Sequence, residues 1–318
     1  MSAPKVVSTR EEKLVILLVL SVLVLLEIAI RLNEDRLSGN ISHIYTIPEI
    51  ARQASDTTSD ANLIFLGNSL TNNAIDKPHI ETLNSSKNSI KAFKITPDGT
   101  AISDWYCIYN QYFLETTNTS SFVIIGFAWG QLSDQFPINP TRLGGFFCQI
   151  EDIDALEATG LTRHQQFLRF LAGSVSHVYV NREAIRNRVL DTVVPYYKET
   201  TQVLNRSPQN NTEMDGRGKS MSTYTSFTNL NQSIKSSNRQ LVVMAMPVID
   251  NYSIDAELLD TFTSLGIPLL DLRNVEKIEK NMFLDSIHLN AEGSRIFTEA
   301  LVEKLQPYIS NDRLNTLN

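Results

Sequence analysis

A short apolar run that stops at a glycine and a serine places the strongest constraint on this chain. Leu63–Leu66 are four apolar residues in succession, and Gly67, Asn68 and Ser69 follow them directly. Such a run is typical of a parallel strand that is buried on both faces. Gly67 permits a sharp turn, so we expect Ser69 at the carboxyl end of a strand and the amino end of a helix. Open α/β sheets bind ligands at this edge, although the same residues also suit a simple helix cap.

A second stretch, close to the C-terminus, supplies groups that would make Ser69 reactive. A serine needs a base, most often histidine, to become a nucleophile, and the imidazole needs a carboxylate to orient it. Asp285 and His288 are three residues apart, a spacing that puts both side chains on one side of a tight turn. Asp271, at the end of the last predicted strand, and Asp250, beyond the preceding strand, are alternative partners for His288.

Residues 67–70 after a strand, together with residues 285–288 before the last helix, resemble the SGNH (GDSL-type) hydrolase superfamily. The first motif of that family normally reads Gly-Asp-Ser-Leu, and here an asparagine replaces the aspartate. The resemblance implies that Ser69 is the nucleophile, His288 the general base and Asp285 the residue that orients it. It also implies chemistry that uses no cofactor.

The family resemblance further implies donors for an oxyanion hole. Gly99, in the turn after the second predicted strand, is one candidate, and a plain turn glycine is the alternative. The family usually places an asparagine after the third strand, 121–126, but this chain has none at the matching position. Gln131 is the second candidate; a donor that is lost and not replaced costs about 3–4 kcal/mol of transition-state stabilisation. Asn68 and Trp129 are predicted to line the substrate.

The alternation of strand and helix patterns predicts the fold class. We expect a three-layer α/β/α sandwich with a mainly parallel five-stranded sheet, of the SGNH or flavodoxin-like kind. The α/β domain is predicted over residues 61–310, with a helical insertion at about 139–205 and a polar loop at about 205–223. Arg182 and Arg186 in the insertion share a helix face. That face either grips an anionic substrate or is simply solvated.

An apolar segment precedes the domain and predicts a single transmembrane anchor over residues 14–31. Leu14–Ile30 is apolar apart from Ser21 and Glu27, and its length of about 17 residues lies at the short end of the spanning range. Glu27 and Arg31 are four residues apart and can reach the interface as a pair. A cleaved signal peptide is the alternative, but no small-residue cleavage site follows Glu27. The balance of basic residues predicts that residues 1–13 lie in the cytoplasm. Residues 32–60 are predicted to form a stalk and lead-in outside, in which residues 48–54 suit a short helix.

Charge and cysteine content restrict the remaining possibilities. The net charge of −7 and the lack of a basic cluster argue against a nucleic-acid partner. Cys107 and Cys148 either form one disulfide in an oxidising compartment or are two buried thiols. Neither has a neighbour at metal-ligand spacing, so no metal site is predicted.

These expectations combine into a membrane-anchored SGNH-type serine enzyme that acts outside the cytoplasmic membrane, in the periplasm or at the cell surface. It would transfer or hydrolyse an O-linked acyl group on a cell-surface glycan through an acyl-serine intermediate. The anchor and helical insertion resemble in layout the SGNH proteins of teichoic-acid D-alanylation and alginate O-acetylation, which implies a membrane-embedded acyl-donor partner. The alternatives are a tethered esterase or lipase acting on small or lipid esters, and a non-catalytic scaffold or glycan-binding protein.

Overall fold

The computed structural model describes residues 9–57, 59, 61–83, 90–116, 121–206 and 222–316. Its centre is a parallel sheet of five strands in the order β2-β1-β3-β4-β5. The strands are β1 (Ala61–Leu66), β2 (Ile90–Ile95), β3 (Ser121–Phe127), β4 (Gln240–Ala245) and β5 (Leu269–Asp271). The order reverses beside β1, so its carboxyl end lies at a topological switch point, where sheets of this kind bind ligands.

The helices connect the strands and continue beyond them at both ends of the chain. Before β2 they are α1 (Thr9–Arg31), α2 (Gly39–Asp56), α3 (Ser69–Ala74) and α4 (Lys77–Leu83). Between β2 and β4 they are α5 (Ile102–Phe113), α6 (Pro140–Arg142), α7 (His164–Val175), α8 (His177–Val180), α9 (Arg182–Val193), α10 (Tyr197–Arg206) and α11 (Thr225–Ser236). The last two are α12 (Ala256–Leu265) and α13 (Ala291–Thr316).

Successive side chains of β1 point into two different cores, as a strand between two helical layers requires. Ile64 and Leu66 pack with α2, α5, α11 and α12 in one core. Leu63 and Phe65 pack with α3, α4 and α13 in the other. The predicted three-layer α/β/α sandwich with a five-stranded parallel sheet is therefore confirmed.

From Pro140 to Arg206, the described segment between β3 and β4 is mostly helical. A π-helical turn (Leu143–Phe147) and two 3-10 turns (Ile150–Asp152 and Asp154–Thr159) lie between α6 and α7. Most of the predicted polar loop at 205–223 lies outside the described residues. On the arginine face of α9, Arg186 pairs with Glu183 and both side chains are exposed, which favours the solvated alternative for Arg186.

A disulfide joins this inserted segment to the core. The Sγ atoms of Cys107, in α5, and Cys148, just after the π-helical turn, are 2.06 Å apart. Of the two alternatives for the cysteines, the structure has the bridge and not the pair of thiols. The bridge closes a sequence separation of 41 residues and fastens the start of the insertion to α5.

The prediction of a stalk over residues 32–60 is wrong. Residues 39–56 form α2, whose apolar side chains recur at helical spacing and are buried against the sheet, among them Ile44, Ile47 and Ala51. The helix also holds the turn after β2, because the ring of His43 accepts a hydrogen bond from the backbone N–H of Thr96 at 3.1 Å. Frequent polar residues in this stretch mark the outer face of a helix and not a spacer.

Helix α1 stands out from the domain with its apolar side chains exposed. Residues Arg10–Arg31 are long and apolar enough to cross a membrane. The expected pairing near its end is present, because Arg31 Nε donates to Glu27 Oε1 at 2.8 Å.

Candidate active site

Ser69 is the first residue of α3 and follows the carboxyl end of β1 after a two-residue turn. Two glycines allow this turn, because they leave room for the side chain of Thr71, a fully buried residue of α3. A Cβ atom at Gly67 would lie 2.2 Å from Thr71 Oγ1, and one at Gly126 in β3 would lie 2.3 Å from the same atom. Larger residues at either position would push α3, and Ser69 with it, away from the sheet.

The histidine and its carboxylate lie on one compact loop between β5 and α13. Phe283 and Leu289 pair as an antiparallel bridge that closes the loop at its base, and Leu284 N–H donates to His288 O at 2.7 Å. At the tip of the loop, Ile249 N–H, which follows β4, donates to Ser286 O at 3.0 Å. The loop is thus fixed at both its base and its tip.

This loop brings His288 and Asp285 to Ser69. His288 Nδ1 is 2.8 Å from Asp285 Oδ2, and His288 Nε2 is 2.9 Å from Ser69 Oγ. Because an ionised carboxylate only accepts hydrogen bonds, Nδ1 carries the proton and Nε2 is left as the acceptor for the Ser69 hydroxyl. The three predicted catalytic residues therefore form one continuous hydrogen-bonded chain, and each is partly accessible to solvent.

Local hydrogen bonds keep Asp285 charged. Its Oδ1 accepts from the backbone N–H groups of Ile287 at 2.9 Å and His288 at 2.8 Å. Burial opposes ionisation, but the hydrogen bonds from His288 and from these two N–H groups outweigh it and lower the pKa of Asp285 below its usual value. The alternative partner Asp271 instead pairs with Arg273 at 2.7 Å, which lowers the pKa of Asp271.

Gly99, the first oxyanion candidate, lies in the turn after β2 with a left-handed φ of 65°. This turn is held by a side chain that sequence patterns did not single out. Arg142 Nη2 donates to Gly99 O at 3.0 Å and to Asp104 Oδ2 at 2.9 Å, while Arg142 Nε donates to Asp104 Oδ1 at 3.0 Å. Asp104 is buried and also accepts from Ala101 N–H at 3.1 Å. The inserted segment thus fixes the conformation of the Gly99 turn.

Gln131, the second oxyanion candidate, is turned into its own loop. Its side-chain Oε1 accepts a hydrogen bond from Ala128 N–H at 2.9 Å, and the residue is buried. This bond fixes the amide oxygen inward and shapes the loop at the end of β3. The structure therefore assigns Gln131 a structural contact that sequence patterns did not anticipate.

Asn68, which the sequence predicts to line the substrate, makes structural contacts with its side chain. It is buried, its Oδ1 accepts from Leu70 N–H at 3.0 Å, and its Nδ2 donates to Thr100 O at 3.0 Å. The Asn68 side chain therefore caps α3 and ties it to the Gly99 turn. A second tie runs through Gly67 O, which accepts from Thr100 Oγ1 at 2.8 Å and from Trp105 Nε1 at 3.0 Å.

Trp129 contributes to a small apolar cluster beside the triad. The cluster includes Leu70, which follows Ser69, and Ile287, which precedes His288. The Trp129 ring lies 5.7 Å from the ring of Tyr252, another member of the cluster. An apolar wall at this place suits the acyl part of an ester. Within the described ranges, no group of three or more His, Cys, Asp or Glu side chains is placed to hold a metal ion.

Comparison with known proteins gives only distant matches. No family model matches the sequence, and no curated protein matches it. Among solved structures, a lipase/acylhydrolase from Enterococcus faecalis is 10% identical with a TM-score of 0.38, covering 78% of this chain and 96% of that one. A variant of the acetyl-xylooligosaccharide esterase Axe2 of Geobacillus is 12% identical with a TM-score of 0.38, covering 78% and 95%.

A third match is a Bacillus subtilis protein, 8% identical with a TM-score of 0.40. The alignment covers 79% of this chain but only 57% of the Bacillus subtilis chain. At such TM-scores these matches carry no functional weight.

Proposed function

We propose that this protein is an SGNH-type serine enzyme that cleaves an ester and forms an acyl-serine intermediate. One observation carries the proposal: the hydrogen-bonded chain from Ser69 Oγ through the His288 ring to Asp285. Its three members come from elements 219 residues apart in sequence, and they meet at the carboxyl edge of the sheet. A helix cap needs only Asn68, which caps α3 here, and gives no reason for a base and a carboxylate in line with Ser69.

The proposed reaction proceeds in two steps. Ser69 Oγ attacks the ester carbonyl carbon while its proton passes to His288 Nε2. Asp285 stabilises the imidazolium that forms. When the tetrahedral intermediate collapses, the bond to the leaving oxygen breaks and that oxygen takes the proton from Nε2. An acceptor hydroxyl then gives its proton to Nε2 and attacks the acyl carbon. When this second tetrahedral intermediate collapses, the bond from the acyl carbon to Ser69 Oγ breaks and Oγ takes the proton back from Nε2.

The negative oxygen of the tetrahedral intermediate needs donors. The amino end of α3 at Ser69 favours negative charge, and we assign the first donor to it. We assign the second to the Gly99 turn, which Arg142 and Asn68 tie to the domain. These two fixed donors would hold the oxyanion without the further asparagine donor that SGNH enzymes usually place after the third strand.

We further propose that α1 anchors the enzyme and that the domain lies outside the cytoplasmic membrane. The exposed apolar surface of α1 supports the anchor, and the Cys107–Cys148 disulfide suits an oxidising compartment. The acceptor would be water or a sugar hydroxyl of a cell-surface glycan, and in the second case a membrane-embedded protein would supply the acyl group. A tethered esterase acting on small or lipid esters is the alternative on the same site.

The proposal is tested by labelling the full chain, in detergent, with a fluorophosphonate beside the Ser69→Ala and His288→Ala variants. We expect labelling of the wild-type protein only. A folded wild-type protein that is not labelled would refute the proposal and favour a non-catalytic scaffold. Release of p-nitrophenol from p-nitrophenyl acetate, with and without added acetyl-accepting oligosaccharides, then separates hydrolysis from transfer.

A further inference from the structure

One face of the inserted helices is apolar although its side chains are exposed among the described residues. In α7, Leu168, Ala172 and Val175 recur at spacings of four and three residues and so lie on one side of the helix. Their side chains are exposed, Leu168 to 51% and Val175 to 71%. Tyr179 in α8 continues the series and is 36% exposed. We call these four residues the α7 face.

The α7 face begins where α1 ends. Arg31 Nη2, in the last turn of α1, donates to Val175 O at 2.8 Å. Glu27, one turn earlier, accepts from the backbone N–H of His177 at 2.8 Å and of Val178 at 3.2 Å. The carboxylate of an apolar helix thus satisfies backbone groups of the folded domain.

The position of Glu27 along α1 sets the depth of these contacts in a bilayer that α1 spans. Glu27 lies inside the apolar span that ends at Arg31, four residues or about 6 Å from its end. A loop that hydrogen-bonds Glu27 must therefore reach the level at which hydrocarbon gives way to headgroups. The side chains that this loop exposes there, Val175 and Tyr179, are apolar or amphipathic, as that level favours.

The attachment of the loop is fixed by a second set of contacts. Glu34, which follows α1, is buried and accepts from Asn181 Nδ2 at 2.7 Å. The same carboxylate lies 2.6 Å from His177 Nδ1. Two acidic side chains on the α1 side therefore hold the start and the end of α8, so the α7 face keeps its position relative to α1.

We propose that the α7 face rests on the lipid bilayer in the headgroup region and sets the orientation of the domain on the membrane. The occupant is lipid because the face is continuous with the apolar helix. Basic side chains also flank it: the Arg182 guanidinium lies 4.5 Å from the Tyr179 ring, and Arg169 follows Leu168. Apolar and aromatic residues beside arginines are typical of surfaces that lie in the interface of anionic membranes. The inference rests on the membrane placement of α1 given above.

The test uses the full chain in lipid nanodiscs of phosphatidylcholine and phosphatidylglycerol. Single cysteines are introduced as Val175→Cys on the α7 face, Leu23→Cys in the middle of α1 and Leu259→Cys on α12, and each carries a nitroxide. The native cysteines are both in the disulfide, so only the new thiol is labelled. All three side chains are exposed, and substitution leaves the core intact; Leu168→Cys provides a second label on the α7 face.

Electron paramagnetic resonance then compares the accessibility of each label to oxygen and to a water-soluble nickel complex. We expect the Val175 label to be several-fold less accessible to nickel than the Leu259 label, while it remains accessible to oxygen. Equal nickel accessibility at the two sites, with the Leu23 label in the bilayer, would overturn the inference and leave the anchor intact. Protection of the Val175 label from both reagents would indicate a protein partner and also overturn it. A Leu23 label in water would refute the membrane placement itself.

Discussion

The substitution Asp285→Asn separates the orienting role of this carboxylate from its role in shaping the loop. An asparagine keeps an oxygen that accepts the N–H groups of Ile287 and His288, so the loop retains its conformation. The atom that faces His288 Nδ1 becomes an NH₂ group, which donates. Nδ1 must then accept, and the proton moves to Nε2. The imidazole consequently has no lone pair for the Ser69 proton.

The size of the effect follows from this change of tautomer. In serine hydrolases with the same arrangement, the wrong tautomer lowers kcat by about 10⁴-fold, equivalent to about 5.5 kcal/mol of transition-state stabilisation. We expect a loss of that order in the turnover of p-nitrophenyl acetate and in the rate of fluorophosphonate labelling. KM should change little, because Asp285 is placed to act through His288 and not on the substrate.

The matched control is Asp271→Asn. Asp271 lies at the same edge of the sheet but bonds Arg273, so its substitution should leave turnover within a few-fold of the wild-type value. A loss of less than tenfold in the Asp285→Asn variant, or equal losses in both variants with native circular dichroism, would refute the orienting role of Asp285.

Three further predictions concern stability and pH. Replacing both Cys107 and Cys148 by serine should lower the free energy of unfolding by about 4 kcal/mol, from the chain entropy of a 41-residue separation; urea unfolding measures it, and an unchanged midpoint would contradict the expectation. Arg142→Met should lower the free energy of unfolding by about 3 kcal/mol, because the buried Asp104 carboxyl loses the cation that pairs with it. Burial already raises the pKa of this carboxyl. A double-mutant cycle with Asp104→Asn measures the coupling energy of the pair, and a coupling energy of zero would contradict the prediction. Burial lowers the pKa of Lys94 in the folded protein to about 8, whereas a lysine in the unfolded chain has a pKa of about 10.4. Between these two pH values the unfolded chain binds one more proton than the folded protein, so the contribution of Lys94 to stability should rise with pH. The free energy of unfolding of the Lys94→Met variant should lack that rise. Parallel curves of this free energy against pH for the wild-type protein and the variant would refute the prediction.

Much of the fold follows from local patterns. The apolar runs 63–66 and 122–125 predict buried parallel strands because each is covered by helices on both faces, and the position of Ser69 follows from the turn after the first run. Asp285 and His288 are found because their spacing places both on one tight loop. These features depend on neighbours in sequence, which patterns capture.

The misplaced residues depend on partners far away in the chain. Residues 39–56 look like a spacer because most of their side chains are polar. The apolar side chains that pack on the sheet are recognised only when the opposing surface is known. Asn68 looks exposed until Thr100 is placed beside it. Arg142 and Asp104 are 38 residues apart, and no periodicity links an arginine in an inserted helix to a turn after β2.

The short connection between α1 and α2 has a consequence for how this protein would meet its substrate. With α1 in a bilayer and the loop after α7 bonded to it, the domain has no flexible arm and Ser69 operates at a fixed height. Its search is then two-dimensional, over the membrane plane. Under the proposed function, an ester would have to enter that layer, either by lateral diffusion or on a chain long enough to reach it. The length and flexibility of the substrate, and not those of the enzyme, would then determine which ester bonds are accessible.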